Sequence, residues 1–333
     1  MRAAYINEPG PVENIAVGEL PDPKPGPGQV LVRVTYAAVN PIDTYVRSGA
    51  VAMELPSPYV VGCDLAGVVE EAGAGVDDLP PGTRVWGSNQ GLLGRQGTFS
   101  ELVAVDRHWL YQIPNGVSDE QAAATALVGI TAALGLFEEA KLQPGERLVV
   151  HGGGGAVGST VIQMAVAHGA KVLAVTGGPE KCAACEALGA EVTVDYLHED
   201  ANHVAASIAA WAAEGVNVWW ETSRTPQLEL AIGALARRGR MIVMAGRDAR
   251  PELPIGPFYA KCCRLLGFVM FLCEPEVQVR AAAKVNELLA AGKLQTPVAK
   301  VASLDETAAL HDLQHNSTVL GKQPLRGKLL VKF

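Results

Sequence analysis

Three shortages in the sequence each close off a class. Cysteine is scarce: Cys63, Cys182, Cys185, Cys262, Cys263 and Cys273 are the only six in 333 residues, too few for a disulfide scaffold. Positive charge is in deficit, with 27 Lys+Arg against 35 Asp+Glu and a net charge of −8. That balance argues against nucleic acid or a membrane as partner, since both attract clustered Lys and Arg. Long apolar runs are missing too. The longest, residues 265–273, falls far short of the roughly 20 residues of a membrane span. The first residues, Met1-Arg2-Ala3-Ala4-Tyr5-Ile6-Asn7-Glu8-Pro9, meet charge and proline before a signal-peptide stretch forms, so a cytoplasmic location is expected. No internal repeat or low-complexity tract appears. What remains is 49% apolar and 19% charged, the profile of a folded chain with room for about two cores.

Cys182 and Cys185 form a CxxC pair, but no second pair or nearby His completes a zinc set. Their spacing fits one face of a helix, and packing is the expectation for them and for Cys262-Cys263.

The first 120 residues read as β-rich. Val30-Leu31-Val32-Arg33-Val34, Gly67-Val68-Val69-Glu70 and Thr83-Arg84-Val85-Trp86 are strand-like and punctuated by Gly and Pro, which predicts irregular antiparallel sheet. At Ser118 the texture changes. Ser118 and Gln121 have the spacing of a capping box ahead of an Ala-rich helix. Short apolar strands then alternate with helices from Leu148 to Phe268, which predicts a parallel sheet covered on both faces. The last strand, Lys328-Leu329-Leu330-Val331-Lys332, falls outside the alternation and is expected to return to the first domain.

His151-Gly152-Gly153-Gly154-Gly155-Ala156-Val157-Gly158 carries the most information. Gly153, Gly155 and Gly158 satisfy GxGxxG between a strand and an apolar helix, where a dinucleotide pyrophosphate requires a tight turn and close backbone approach. The helix N-terminus offers unpaired amides and a positive dipole end to that phosphate. Readers of NAD usually carry Asp or Glu about 20 residues on. Here the chain reads Thr176-Gly177-Gly178-Pro179, with Lys181 close by, and so favours NADPH.

A β-rich part followed by a nucleotide fold resembles the medium-chain dehydrogenase/reductase superfamily, whose alcohol dehydrogenases use zinc. Their ligand slots fall here on Asn40, on Cys63 in Gly62-Cys63-Asp64, and near the apolar Leu127, so three zinc ligands are not in place. Without that Lewis acid, hydride delivery to an already electrophilic acceptor is favoured. Three segments closely resemble the zinc-free quinone oxidoreductases of the superfamily, the zeta-crystallin-like group. They are residues 40–49, from Asn40-Pro41-Ile42-Asp43-Thr44-Tyr45 to Gly49, residues 62–69, and the glycine loop.

That resemblance spans the chain. It implies an α/β protein with a GroES-like β-rich catalytic domain (1–122 and 297–333) and a Rossmann NADPH-binding domain (123–296), the active site lying at their cleft. It also implies catalytic roles for Asn40, Asp43, Tyr45 and Thr131. Gly153, Gly155, Ala156, Val157 and Gly158 would meet the pyrophosphate, Thr176, Lys181 and Tyr196 the adenosine side, Phe268 and Met270 the nicotinamide, and Lys328 the coenzyme. Bland readings stand beside these: Tyr45 as cleft wall, Asp43 as a loop anchor, His151 bonded to backbone, and Arg224 as a surface residue rather than a phosphate partner. Ala156 replaces a glycine frequent in the family, which is tolerable unless its φ is positive. The expected activity is NADPH-dependent, zinc-independent reduction of a quinone or similar electrophile. Enoyl or enone reduction, and an NADPH-binding structural or sensor role, are the alternatives. The apolar stretch 265–272 suggests a homodimer or homotetramer through an edge strand.

Overall fold

A computed structural model describes residues 1–322 and 325–333. The chain forms two compact units, Met1–Val128 with Gln295–Phe333, and Gly129–Leu294. In chain order, the first unit contributes β1 (Arg2–Ile6), β2 (Ala16–Glu19), β3 (Gln29–Val39), α1 (Pro41–Ser48), β4 (Tyr59–Val60), β5 (Asp64–Ala72), β6 (Arg84–Gly87), β7 (Leu102–Asp106) and β8 (Leu110–Gln112). Helix α2 (Asp119–Ala133) runs on into the second unit. There follow β9 (Arg147–His151), α3 (Ala156–Ala167), β10 (Lys171–Thr176), α4 (Pro179–Ala187), β11 (Val192–Asp195), α5 (Ala201–Trp211) and β12 (Val216–Glu221). Then come α6 (Leu228–Ala234), β13 (Leu235–Val243), α7 (Ile255–Ala260), β14 (Arg264–Gly267) and α8 (Pro275–Ala290). The chain returns to the first unit with β15 (Val298–Ala302), α9 (Thr307–Thr318) and β16 (Lys328–Lys332).

In the first unit the main sheet runs β15-β16-β3-β5-β6-β8, with β7 also on β3. It is antiparallel except for β15 on β16, and β3 slips register against β5 in two places. The last strand pairs with β3, Leu329 opposite Val39. That pairing buries Leu329, Leu330 and Val331 completely. Each such burial is worth about 1.5–3 kcal/mol, enough to fix where the preceding Lys328 stands. Helix α1 starts where it does for local reasons. Asn40 is extended at the N-cap, Pro41 takes the first helical position, Asp43 accepts from the Asn40 amide at 2.7 Å, and Gly49 ends the helix at φ +77°.

The second unit holds a six-stranded parallel sheet in the order β11-β10-β9-β12-β13-β14, so the chain reverses direction across the sheet between β9 and β12. Such a switch point leaves a crevice at the strand ends, where doubly wound sheets bind ligands. The central strands are apolar on both faces: Leu148, Val149, Val150, Val218, Trp219 and Trp220 are all fully buried.

Two details depart from the sequence reading. Ser118 does accept from the Gln121 amide at 3.2 Å, but the Gln121 side chain turns to the Thr296 backbone, donating at 3.1 Å and accepting at 3.0 Å, so no box closes. The helical stretch Asp119–Glu139 is long and apolar enough to cross a membrane, although no single apolar run suggested it; 78% of its most apolar window is buried in the protein, as in a core helix.

Candidate functional site

The second unit's site begins at the end of β9. Gly152 and Gly153 donate to the Val175 carbonyl of β10 at 2.8 and 3.2 Å, which folds the loop back over the sheet. The left-handed residue of this turn is Gly152 (φ +89°), one place ahead of the GxGxxG pattern, and a Cβ on it would meet Thr222 Oγ1 at 1.9 Å. Gly155 is the N-cap of α3, exposed, with φ −83°. Beyond it the amides of Ala156, Val157 and Gly158 have no carbonyl within the helix to receive them. A Cβ on Gly158 would lie 2.2 Å from the Gly152 carbonyl oxygen and 2.8 Å from Gly153 Cα, so the third glycine is demanded by backbone contact. Ala156 lies in the helix and is not among the positive-φ residues, so its methyl is unstrained. This cradle fits a dinucleotide phosphate: small, open on the Gly155 side, and lined by amides.

Beside it, Thr176 closes β10 and accepts from the Gly154 amide through Oγ1 at 3.1 Å. The half-buried Lys181, in the first turn of α4, lies so close that a Cβ on Gly154 would sit 2.7 Å from its Cδ. Tyr196 packs on Gly177 and is 47% exposed. One carboxylate the sequence reading overlooked stands here. Asp195, opposite Thr176 in the sheet register, accepts from the amides of Gly178 at 2.7 Å and Leu197 at 3.0 Å and from His198 at 2.7 Å. Those bonds, Gly178 first, hold its carboxyl below the usual range and turn it into the loop.

His151 is bonded to a side chain and not to backbone. Its Nδ1 lies 2.8 and 2.9 Å from the two oxygens of Glu221, which is fully buried and also accepts from Trp219 Nε1 and the Ser223 amide. The signal was available: Glu221 is the one charged residue of an apolar strand, and register places it opposite His151. Arg224, three residues on, is exposed. Phe268, just past β14, stands edge-on to Trp220 at 6.5 Å. Met270 is buried, its carbonyl accepting from Gln278 Nε2 at 2.8 Å. Thr131 is buried in α2.

The first unit gathers Asn40, Asp43, Cys63, Asp64, Ser88 and Lys328 in one buried polar cluster. Asn40 Nδ2 donates to Asp64 Oδ2 at 2.8 Å and to the Ala38 carbonyl at 3.3 Å, and Asn40 Oδ1 accepts from Lys328 Nζ. Asp64 also accepts from Ser88 Oγ at 2.6 Å and from the Leu127 amide at 3.3 Å. The Cys63 thiol donates to Asp43. Burial dominates every titration here. It lifts Asp43 to about 7 against the counter-effects of the Cys63 bond and Lys328, raises Asp64, pushes the Cys63 thiol well up, and lowers the Lys328 ammonium. Tyr45, one turn along α1, is half-buried. Lys328, which the resemblance assigned to the coenzyme, is thus held by Asn40.

As a zinc centre the cluster does not fit. Of the three slots only Cys63 carries a zinc-ligating side chain; the Asn40 amide is bonded at both ends, and Leu127 contributes only a backbone N–H donor. Among the described residues, no group of three or more His, Cys, Asp and Glu side chains is arranged to hold a metal ion.

The chain matches the family model for the alcohol dehydrogenase GroES-like domain over residues 26–115, and that for zinc-binding dehydrogenases over residues 156–286. It is 30% identical over 329 residues to a quinone oxidoreductase of Rattus norvegicus, covering 98% of this chain and 97% of that protein. Among solved structures, an NAD-dependent alcohol dehydrogenase superposes with a TM-score of 0.88 at 29% identity over 100% of both chains. A quinone oxidoreductase of Pseudomonas syringae gives 0.85 at 27% identity, over 100% of this chain and 99% of that one.

Proposed function

The chain belongs to the quinone oxidoreductase group of the medium-chain dehydrogenase/reductase superfamily, and from that premise we propose that it reduces a quinone or another electrophilic small molecule with NADPH, without a catalytic zinc ion. The observation that carries this is the glycine cradle at the sheet's switch point. Gly153, Gly155, Ala156, Val157 and Gly158 take the pyrophosphate, Thr176, Lys181 and Tyr196 flank the adenosine phosphate, and Thr131, Phe268 and Met270 border the nicotinamide end. When bound, NADPH supplies the hydride. The protein's part is to position the acceptor, and to return a proton from the Tyr45 hydroxyl or from water.

Zinc independence is supported by the donor set: the positions that match the superfamily's zinc slots are Asn40, Cys63 and Leu127, of which only Cys63 has a zinc-ligating side chain, short of the three protein ligands of a catalytic zinc. The six free cysteines suit a reducing cytoplasm, and the acidic surface suits a small-molecule partner over nucleic acid or membrane. Strand β14 is the sheet's edge, and Leu265, Val269 and Leu272 along and just beyond it are 42%, 43% and 64% exposed. Pairing of this edge with a second copy gives a homodimer, or a homotetramer by further association. A monomer in sedimentation at micromolar concentration removes that part of the reading.

Initial rates with NADPH and NADH against a quinone panel and an enone panel, with and without chelator, test the whole. The expected result is NADPH preference, turnover of quinones, and no effect of chelator. Preference for NADH overturns the coenzyme assignment. Loss of activity in chelator restored by zinc overturns the chemistry, and turnover of enones alone moves the assignment to enone reduction. Tight NADPH binding with no turnover in either panel leaves a binding protein.

A further inference from the structure

We propose that the ammonium of Lys328 is the resident cation of the Asn40 cluster and acts as a positioning residue. It fixes the Asn40 side chain and, through it, the start of α1 that carries Asp43 and Tyr45. The proposal goes beyond the assigned activity, and its activity readout rests on the reductase reading.

Delivery of the lysine is a matter of main-chain register. Leu329 pairs with Val39, so Lys328 arrives beside Asn40, 288 residues away in sequence. Its own amide donates to the Pro297 carbonyl at 2.7 Å. The turn before it uses Gly327 at φ +107°, where a Cβ would stand 2.6 Å from the Pro297 oxygen. The side chain is therefore aimed before it makes any polar contact.

Charge explains why a lysine is tolerated there. An ammonium with 3% exposure is costly unless carboxylates face it, and Asp64 and Asp43 both do. The hydrogen bonds then specify one orientation. Lys328 has only donors, so it pairs with the oxygen end of the Asn40 amide; ionised Asp64 only accepts, so it pairs with the nitrogen end. A flipped amide would set donor against donor and acceptor against acceptor. Asn40 is also the N-cap residue whose backbone amide bonds to Asp43. Fixing its side chain fixes the first turn of α1, and with it the direction from which Tyr45 leaves that helix. The metal-ligand chemistry that fails at this cluster is thus replaced by a cation supplied from the chain itself.

Lys328→Met, Lys328→Gln and the double variant Asp64→Asn/Lys328→Met test this, each beside the wild-type enzyme. Lys328→Met is expected to lower the unfolding midpoint and to cut kcat at least tenfold, with the KM for NADPH within twofold. In the double variant the first of the two carboxylates that face the lysine is gone with it. Stability is expected to recover toward wild type while kcat stays low, because Asn40 Oδ1 still lacks its donor. Lys328→Gln, which keeps a donor without the charge, is expected to regain part of kcat. Wild-type kcat in the double variant overturns the positioning role. A raised KM for NADPH at unchanged kcat overturns it in favour of direct coenzyme contact. Strictly additive stability effects of the two substitutions overturn the charge pairing. Stoichiometric zinc in wild-type protein after equilibrium dialysis overturns the resident-cation claim. The stability cycle needs no activity, so an inactive wild type refutes the reductase reading and leaves this proposal to the cycle.

Discussion

The glycine loop and the Asn40 cluster put polar groups to use by opposite means. The loop does it with backbone from eight consecutive residues, needing little from side chains beyond their absence. The cluster does it with side chains brought from residues 40, 43, 63, 64, 88 and 328, every one of them buried. A backbone site is broken by adding atoms, whereas a side-chain site is broken by removing charges. The two should therefore fail differently, and the cluster more severely.

The largest effect is expected from Asp64→Ala, which strips the ammonium of a carboxylate, takes the acceptor from Ser88 Oγ and removes the shortest acceptor of Asn40 Nδ2. Urea denaturation should show a loss of about 3–5 kcal/mol; a loss under about 1 kcal/mol would mean the cluster is not electrostatically coupled. Next comes pH. Asp43 ionises near 3.8 in the unfolded chain and at about 7 in the fold. Between those values the folded state holds the extra proton, so stability is greatest at the acid end of the window and falls as pH rises through it, by on the order of 4 kcal/mol. Asp43→Asn should flatten that slope, and a slope unchanged in the variant would assign the titration elsewhere.

On the loop side, Gly158→Ala drives a methyl into fixed backbone and should cost about 1–3 kcal/mol while abolishing detectable coenzyme binding by calorimetry. Lys181→Ala should weaken NADPH by about 1 kcal/mol, roughly fivefold, with NADH unchanged; equal loss for both coenzymes would detach Lys181 from the phosphate. The smallest effect is Gly155→Ala. With φ −83° and its nearest neighbour 3.4 Å from a Cβ, it should leave thermal stability within about 0.5 kcal/mol and raise only the KM for NADPH.

How far the sequence could be read follows the same division. The GxGxxG of Gly153, Gly155 and Gly158, the turn at Thr176 and the alternation of strands and helices are local patterns. The single miss inside the loop, the left-handed Gly152, still lay within the glycine run. Side-chain partners were read poorly. Gln121 left its capping box for Thr296, 175 residues on, and His151 found Glu221, 70 residues on. Asp195, beyond the position where a carboxylate was sought, was brought back to the Gly178 amide by strand pairing.

By itself the sequence determined the doubly wound sheet, the β-rich companion unit and the nucleotide loop, because period, turn chemistry and the space a glycine leaves are properties of neighbouring residues. Only the tertiary structure decided which buried charge meets which. An ammonium and a carboxylate lower each other's burial cost through a few ångströms of space, whatever the length of chain between them.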